Sequence, residues 1–237
     1  MVTESHPFEP FLPPGARILF LGSFPPQPHR WCMPFYYPNW INDYWRIMGL
    51  IHFGDKNHFC VVGEKRFDEA RIRDFCTSEG LAFYDTAREV RRLKDNASDA
   101  FLEVVTPTDI PALLAHIPDC HTLVTTGQKA TELAAACLHC PLPPVGGYID
   151  VPEASASAGP TASENYFSGR YPKNQFPETI ATPTHTDASL RFWRMPSTSR
   201  AYPLPLDKKA DAYRQLFTDQ VAKTAENVTK TVGSDFF

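Results

Sequence analysis

The sequence lacks the long apolar segments that cross membranes. No uninterrupted apolar run in the 237 residues approaches the roughly 18 that a membrane-spanning helix needs, so no membrane partner is expected. The first fifteen residues contain two acids, four prolines and no apolar stretch of the signal-peptide type. Six cysteines are too few for a disulfide scaffold. Together these absences predict a cytoplasmic protein with reduced thiols.

An excess of basic charge is also missing. Lys and Arg number 23 against 27 Asp and Glu, and the formal charge of −4 argues against nonspecific coating of nucleic acid. A local basic footprint remains compatible with this balance. The 43% apolar and 21% charged composition is typical of a globular protein, and we expect one domain over residues 1–237, acting as a monomer.

Four short apolar segments, each ending in turn residues, predict the strands of a sheet. They span residues 17–21, 80–86, 121–126 and 190–195, and helical patterns occupy 42–51, 64–78, 108–115, 128–138 and 208–224. Strands that alternate with helices favour an α/β fold, with a mostly parallel sheet covered by helices on both faces. Residues 150–189 are expected to form a loop and an insertion, and residues 226–237 a flexible tail.

The carboxyl ends of parallel strands meet at one edge of a sheet, where ligands bind in such folds. The segments 22–26, 85–86, 126–129 and 196–200 follow the four predicted strands and should therefore surround one crevice.

An aromatic segment follows the first predicted strand. Its rings and amides are Phe35, Tyr36, Tyr37, Trp40, Tyr44 and Trp45, with Asn39 and Asn42 between them. Flat rings beside amides suit a planar heterocycle, whereas the alternative is an aromatic core under a long loop. We assign Trp45 and Ile47 to the core, and Tyr37 and Asn42 to a binding site.

A second polar segment, MPSTSRAY at residues 195–202, follows the fourth predicted strand. Three hydroxyl residues followed by an arginine suit contact with a phosphate backbone. The alternative is a helix cap beside solvated charges. An aromatic crevice at the same sheet edge favours the phosphate interpretation.

Five motifs, in the order GSFPP, YYPNWINDYW, FYDTAREV, TTGQKA and MPSTSRAY, resemble the uracil-DNA glycosylase superfamily, and most closely its hypoxanthine (deoxyinosine) DNA glycosylase branch. The resemblance extends from about residue 12 to residue 214. It implies a three-layer α/β/α sandwich with a short, mostly parallel four-stranded sheet. It also implies a monofunctional enzyme that flips deaminated bases, hypoxanthine or uracil, out of DNA and removes them without cofactor or metal.

The resemblance also implies roles for particular residues. Tyr37 matches the aromatic that stacks on the extruded base, and Asn42 matches the catalytic asparagine of the branch. Gly22, Ser23 and Pro25 match a first, base-binding motif that here encloses Phe24. The residues matching the loop that contacts DNA are Ser197, Thr198, Ser199 and Arg200.

The chain departs from the family pattern at several positions: Trp40 and Ile41 stand where the branch tends to have Pro and a basic residue, and Phe24 and Met195 replace polar groups. Phe24 cannot orient water, and Met195 cannot donate a hydrogen bond to a base carbonyl. These departures keep two alternatives open: a degenerate member that binds bases without cutting, and a hydrolase of free nucleosides.

Cleavage of an N-glycosidic bond needs one positioned water and support for the leaving base. An amide is a poor base, whereas a carboxylate accepts a proton. Asp43 and Asp85 are therefore candidate catalytic assistants, although Asp43 is also placed to support a helix N-terminus. The irregular spacing of His116, Cys120, His121, Cys137, His139 and Cys140 argues against zinc, and a triad built on His185 and Asp187 lacks a nucleophile motif.

Overall fold

The computed structural model describes residues 2–94, 99–152 and 189–218. Most of the loop and insertion predicted over 150–189, and all of the tail predicted over 226–237, lie outside the described residues, as do His185 and Asp187. In the described part of the chain, no helix is both long and apolar enough to span a bilayer.

The central sheet has five strands and confirms the predicted α/β class. In chain order its strands are β2 (Ile18–Gly22), β3 (Leu81–Asp85), β6 (Thr122–Thr126), β7 (Gly147–Pro152) and β8 (Ser189–Met195). They are arranged β3-β2-β6-β8-β7, and every pairing is parallel except that of β7 with β8. The antiparallel edge strand β7 is the one that was not predicted, since its alternating exposure leaves no apolar run.

Helices cover both faces of this sheet. They are α1 (Tyr44–Phe53), α2 (Glu69–Glu79), α3 (Ile110–Ala115), α4 (Gln128–Cys137) and α5, which is helical over 206–218. All five overlap the predicted helical segments. Two of these helices begin at N-cap residues: the Asp68 and Asp109 carboxylates accept hydrogen bonds from backbone N–H groups in the first turns of α2 and α3.

The strand register shows which face carries which helix. Phe20 of β2 aligns with Phe83 of β3, and the ring of Tyr44 in α1 packs edge-on against both. Phe20 aligns with Val124 of β6, so the next residue, Thr125, points to the opposite face of the sheet. There its hydroxyl hydrogen-bonds the Thr131 hydroxyl of α4 over 2.9 Å. The result is a three-layer α/β/α sandwich with an aromatic core on the α1 side.

A second, smaller sheet lies beyond the carboxyl end of β3. It comprises β1 (Glu4–Ser5), β4 (Ala87–Arg92) and β5 (Leu102–Pro107), arranged antiparallel in the order β1-β4-β5. Its apolar side, Ala87, Val90 and Leu102, forms a core of its own. This sheet was not predicted, and it brings the amino-terminal segment to the edge of the main sheet.

Two buried tyrosines give a matched test of the core. The Tyr44 hydroxyl has no hydrogen-bond partner among the described residues, whereas the Tyr213 hydroxyl donates to the Pro196 carbonyl over 3.0 Å. Tyr213→Phe should lower the free energy of unfolding by about 1–3 kcal/mol, because it leaves a buried carbonyl without its donor. Tyr44→Phe should leave it unchanged or raise it. Urea denaturation of both variants checks this, and an equal loss in the two would contradict it.

Candidate active site

A pocket of about 270 Å³ lies at the carboxyl ends of the parallel strands. Each of the four segments predicted to surround one crevice contributes to its wall, and so does the aromatic segment. The lining residues include Gly22, Ser23, Phe24, Pro25, Tyr37, Asn42, Asp85, Thr126, Ser197, Thr198, Ser199 and Arg200. Helix crossovers bring these segments together, since every parallel strand ends at the same edge.

Tyr37 presents a fixed aromatic surface to the pocket. Its ring lies parallel to that of Tyr44, with 3.9 Å between centroids and 6° between planes. Its hydroxyl hydrogen-bonds the Thr126 hydroxyl over 2.9 Å, and burial raises the pKa of this phenol. The backbone φ of +51° at Tyr37 costs about 1–3 kcal/mol for a non-glycine residue. The stack and the hydrogen bond hold the ring in this strained conformation, and Tyr37 is among the residues that line the pocket.

Asn42 lines the same pocket but uses its amide oxygen locally. Oδ1 accepts a 2.9 Å hydrogen bond from the backbone N–H of Tyr44 at the start of α1. Because a backbone N–H can only donate, this contact assigns the oxygen and leaves the NH₂ group for the pocket. That group donates hydrogen bonds and cannot accept a proton from water. Arg46, stacked on Trp40, donates to the Asn42 carbonyl and steadies the turn.

Asp43 does not line the pocket, and both of its carboxylate oxygens are occupied. Oδ1 accepts from Arg200 Nε over 3.1 Å, and Oδ2 accepts from Lys209 Nζ over 3.0 Å. The Lys209 side chain is 1% exposed and also donates to the Ser199 carbonyl over 2.8 Å. The Asp43 N–H donates to the Thr198 carbonyl. The structure therefore shows Asp43 as a tie between α1 and the loop after β8, and its role as a catalytic assistant stays a prediction.

The loop after β8 keeps its shape through its own hydroxyls. Ser197 Oγ accepts from the Ser199 N–H, and Ser199 Oγ accepts from the Ala201 N–H. Thr198 is buried, whereas Ser199 and Arg200 are exposed. Ser199 and Arg200 are thus the members of the predicted DNA-contacting set that solvent and a large ligand can reach most easily.

Asp85, at the end of β3, is one of the carboxylate residues that line the pocket. Its Oδ1 sits directly against Gly22, where a Cβ atom would collide with it. Its Oδ2 lies 2.9 Å from Nε2 of His6. The absence of a side chain at Gly22 therefore makes room for this carboxylate.

Two further side chains near the pocket were missed by the sequence analysis. Asp99 lines it and accepts a 2.6 Å hydrogen bond from Ser23 Oγ. Desolvation by the surrounding protein raises the pKa of the Asp99 carboxyl. The Asp85 charge raises this pKa further, whereas the hydrogen bond from Ser23 lowers it. His6 lies behind Asp85. Neither residue belongs to a motif or follows a predicted strand, so no local signal could have found them.

Two residues that the sequence assigns to the core are buried, and the two apolar departures, Met195 and Phe24, have different surroundings. Trp45 and Ile47 are buried. Met195 is also buried in the main core and is not among the lining residues, whereas Phe24 lines the pocket and packs edge-on against His6 at 5.3 Å. In the described ranges, no three His, Cys, Asp or Glu side chains are grouped to hold a metal ion.

Comparison with known proteins gives similarity to solved structures. No protein-family model matches the chain, and no curated protein matches it. Among solved structures it is similar to the solution NMR structure of a "putative Uracil DNA glycosylase" from Methanosarcina acetivorans. The two share 19% identity with a TM-score of 0.44, over 57% of this chain and 76% of the other. This level of similarity does not assign a substrate or a reaction.

The tie made by Asp43 can be tested by unfolding. Asp43→Ala leaves the buried Lys209 ammonium without its counter-charge, so we expect a loss of about 3–5 kcal/mol in the free energy of unfolding. The matched control is Asp211→Ala, which removes an exposed pair with Arg214 on α5 and should cost less than about 1 kcal/mol. Denaturant titration measures both. Similar small losses in the two variants would show that Asp43 does not hold the loop.

Proposed function

We propose that this protein is a monofunctional DNA glycosylase that hydrolyses the N-glycosidic bond of a deaminated base, hypoxanthine or uracil. The observation that carries the proposal is that the Tyr37 ring, the Asn42 amide and the Asp85 carboxylate line one pocket beyond the parallel strands. The motif resemblance supports the same reaction. No cofactor is needed, because the chemistry requires only a positioned water and support for the leaving base.

The size of the pocket favours a single base over a duplex. Its volume of about 270 Å³ is slightly below the roughly 300–1,000 Å³ typical of small-molecule sites. A base in a duplex cannot reach such a pocket unless it is rotated out of the stack, at a cost of a few kcal/mol that is least for mispaired or single-stranded bases. In the pocket the base would stack on the exposed face of Tyr37.

The Asn42 NH₂ group suggests why a deaminated base is preferred. Deamination replaces the exocyclic amino group of adenine or cytosine, which donates hydrogen bonds, with a keto oxygen, which accepts them. A donor held at the pocket wall is complementary to the keto oxygen and would face another donor on the undamaged base. This assignment gives Asn42 the role of recognising the base, and it leaves activation of water to a carboxylate.

Asp85 is the group we propose for that step. The C1′–N bond breaks with its electron pair moving to the base nitrogen, and the sugar becomes oxocarbenium-like. The water oxygen bonds to C1′ and one of its protons passes to Asp85. The departing base takes up a proton from solvent, and Asp85 then returns its proton to solvent. The net change is the addition of one water across the glycosidic bond.

Contact with DNA would come from the rim of the pocket. Ser199 and Arg200 are exposed there, and Asp43 orients the Arg200 guanidinium. Because the chain has a net charge of −4, it does not favour general coating of DNA. The Arg200 guanidinium and the exposed Ser199 hydroxyl suit contact with one local stretch of the phosphate backbone. Arg200 is also long enough to occupy the space that a flipped base leaves.

Labelled oligonucleotides carrying hypoxanthine or uracil, single- and double-stranded, test the proposal. The wild type should release the base and leave an alkali-labile strand. Asp85→Asn should slow release by about 10²–10⁴-fold, because it removes the proton acceptor. The matched control is Asp119→Asn, an exposed carboxylate outside the pocket, which should not change the rate. Uncut strands for both lesions in both strand contexts would overturn the proposal.

Tyr37→Ala should act differently from Asp85→Asn. Loss of the ring removes base stacking worth about 1–3 kcal/mol, so the Kd for lesion DNA should rise by roughly 10–100-fold. Tyr37→Phe keeps the ring and should bind nearly as well as the wild type. Equal binding by all three proteins, measured by fluorescence anisotropy, would place the base elsewhere.

A second candidate function is a base-binding member that does not cut. It is favoured by Phe24, which gives the pocket an apolar wall where the family pattern carries a polar group. Saturable, salt-dependent binding of lesion DNA without product would select this function.

A further inference from the structure

The amino-terminal segment is fastened across the end of β3 by its backbone. Glu4 and Ser5 pair with β4, and the His6 N–H donates to the Arg88 carbonyl over 2.7 Å. Further along, Phe11 and Phe83 exchange two backbone hydrogen bonds of 3.0 and 2.8 Å. These contacts deliver one side chain, His6, to the back of the pocket. The segment lies before the start of the motif resemblance, which does not extend to it.

The His6 ring is enclosed by aromatic side chains. Its side chain is 3% exposed, with ring centroids of Tyr84 at 4.6 Å and Phe24 at 5.3 Å. A polar ring in such surroundings needs hydrogen bonds. Nδ1 lies 2.8 Å from the Phe8 carbonyl and accepts from the Phe8 N–H over 3.2 Å, and Nε2 lies 2.9 Å from Asp85 Oδ2. Since a carboxylate only accepts, Nε2 carries a hydrogen and donates it to Asp85.

This contact leaves the Asp85 carboxylate little freedom. One oxygen is held by His6, and the other is packed against the Cα of Gly22, so rotation about the Cβ–Cγ bond would break the first contact. The Asp85 backbone is fixed as well, because its carbonyl accepts from Thr108 Oγ1 over 2.6 Å. With Oδ2 engaged, Oδ1 is the oxygen left for a ligand in the pocket.

We propose that His6 is a positioning residue that holds Asp85 Oδ1 where it accepts the proton of the attacking water. The proposal rests on the proposed function and extends it, since it makes the amino-terminal segment part of the active site. His6 touches neither substrate nor water and acts through Asp85. Displacing a reacting group by about 1 Å is enough to cost about 10²-fold in rate.

Single-turnover base release and equilibrium DNA binding by three variants provide the test. His6→Phe keeps the ring packing and removes the donor, so the release rate should fall by about 10²-fold with Kd unchanged. His6→Gln can place an amide N–H near the position of Nε2 and should recover most of the rate. His29→Phe, an exposed histidine elsewhere on the chain, is the matched control and should behave as wild type.

A double-mutant cycle with Asp85→Asn separates positioning from general damage to the fold. If His6 acts through Asp85, His6→Phe should slow release no further in the Asp85→Asn background. Additive losses, equal loss in His6→Gln, or an unchanged rate in His6→Phe would overturn the role of His6 while leaving the proposed function intact. A wild type that releases neither hypoxanthine nor uracil would overturn both.

Discussion

The site depends on a buried ion pair between Asp43 at the start of α1 and Lys209 in α5. Removing two charges from water is costly, and the cost is offset here because each partner makes further hydrogen bonds. Lys209 also holds the Ser199 carbonyl, and Asp43 also holds Arg200 and the Thr198 carbonyl. The loop after β8 is therefore held against the aromatic segment, and the pocket exists because these two segments stay together.

The polar groups of the pocket share a second physical feature, which is that each is oriented by a neighbour. Thr126 and Tyr44 orient Tyr37, the Tyr44 N–H orients the Asn42 amide, and His6 orients Asp85. Groups held in this way need little reorganisation when a ligand binds, because their orientation is already fixed. Phe24 adds an apolar wall beside these groups, whereas Met195 is buried in the main core and does not line the pocket.

Much of the fold and part of the site could be predicted from local patterns. The four parallel strands and five helices carry their own signals, namely apolar runs of five to seven residues, caps and turn residues. The assembly of Gly22, Asp85, Thr126 and Ser197 at one edge follows from parallel pairing alone. The role of Asp43 could not be predicted in this way, because its partners lie more than 150 residues away in sequence. The antiparallel strands were not predicted from the sequence, because they are half-exposed and charged and therefore lack an apolar run.

The amino-acid sequence by itself determined the α/β class, the edge of the sheet where the pocket lies, and the aromatic and hydroxyl-rich segments that flank it. These are consequences of short-range periodicity and of the rule that parallel strands end together. Only the tertiary structure decided how the polar side chains of those segments are held: Asn42 Oδ1 accepts from the Tyr44 N–H, Asp85 Oδ2 contacts His6, and Asp43 is not among the lining residues. The reason is that hydrogen bonds to distant residues, such as that from His6, set side-chain orientation, and such bonds leave no trace in local sequence.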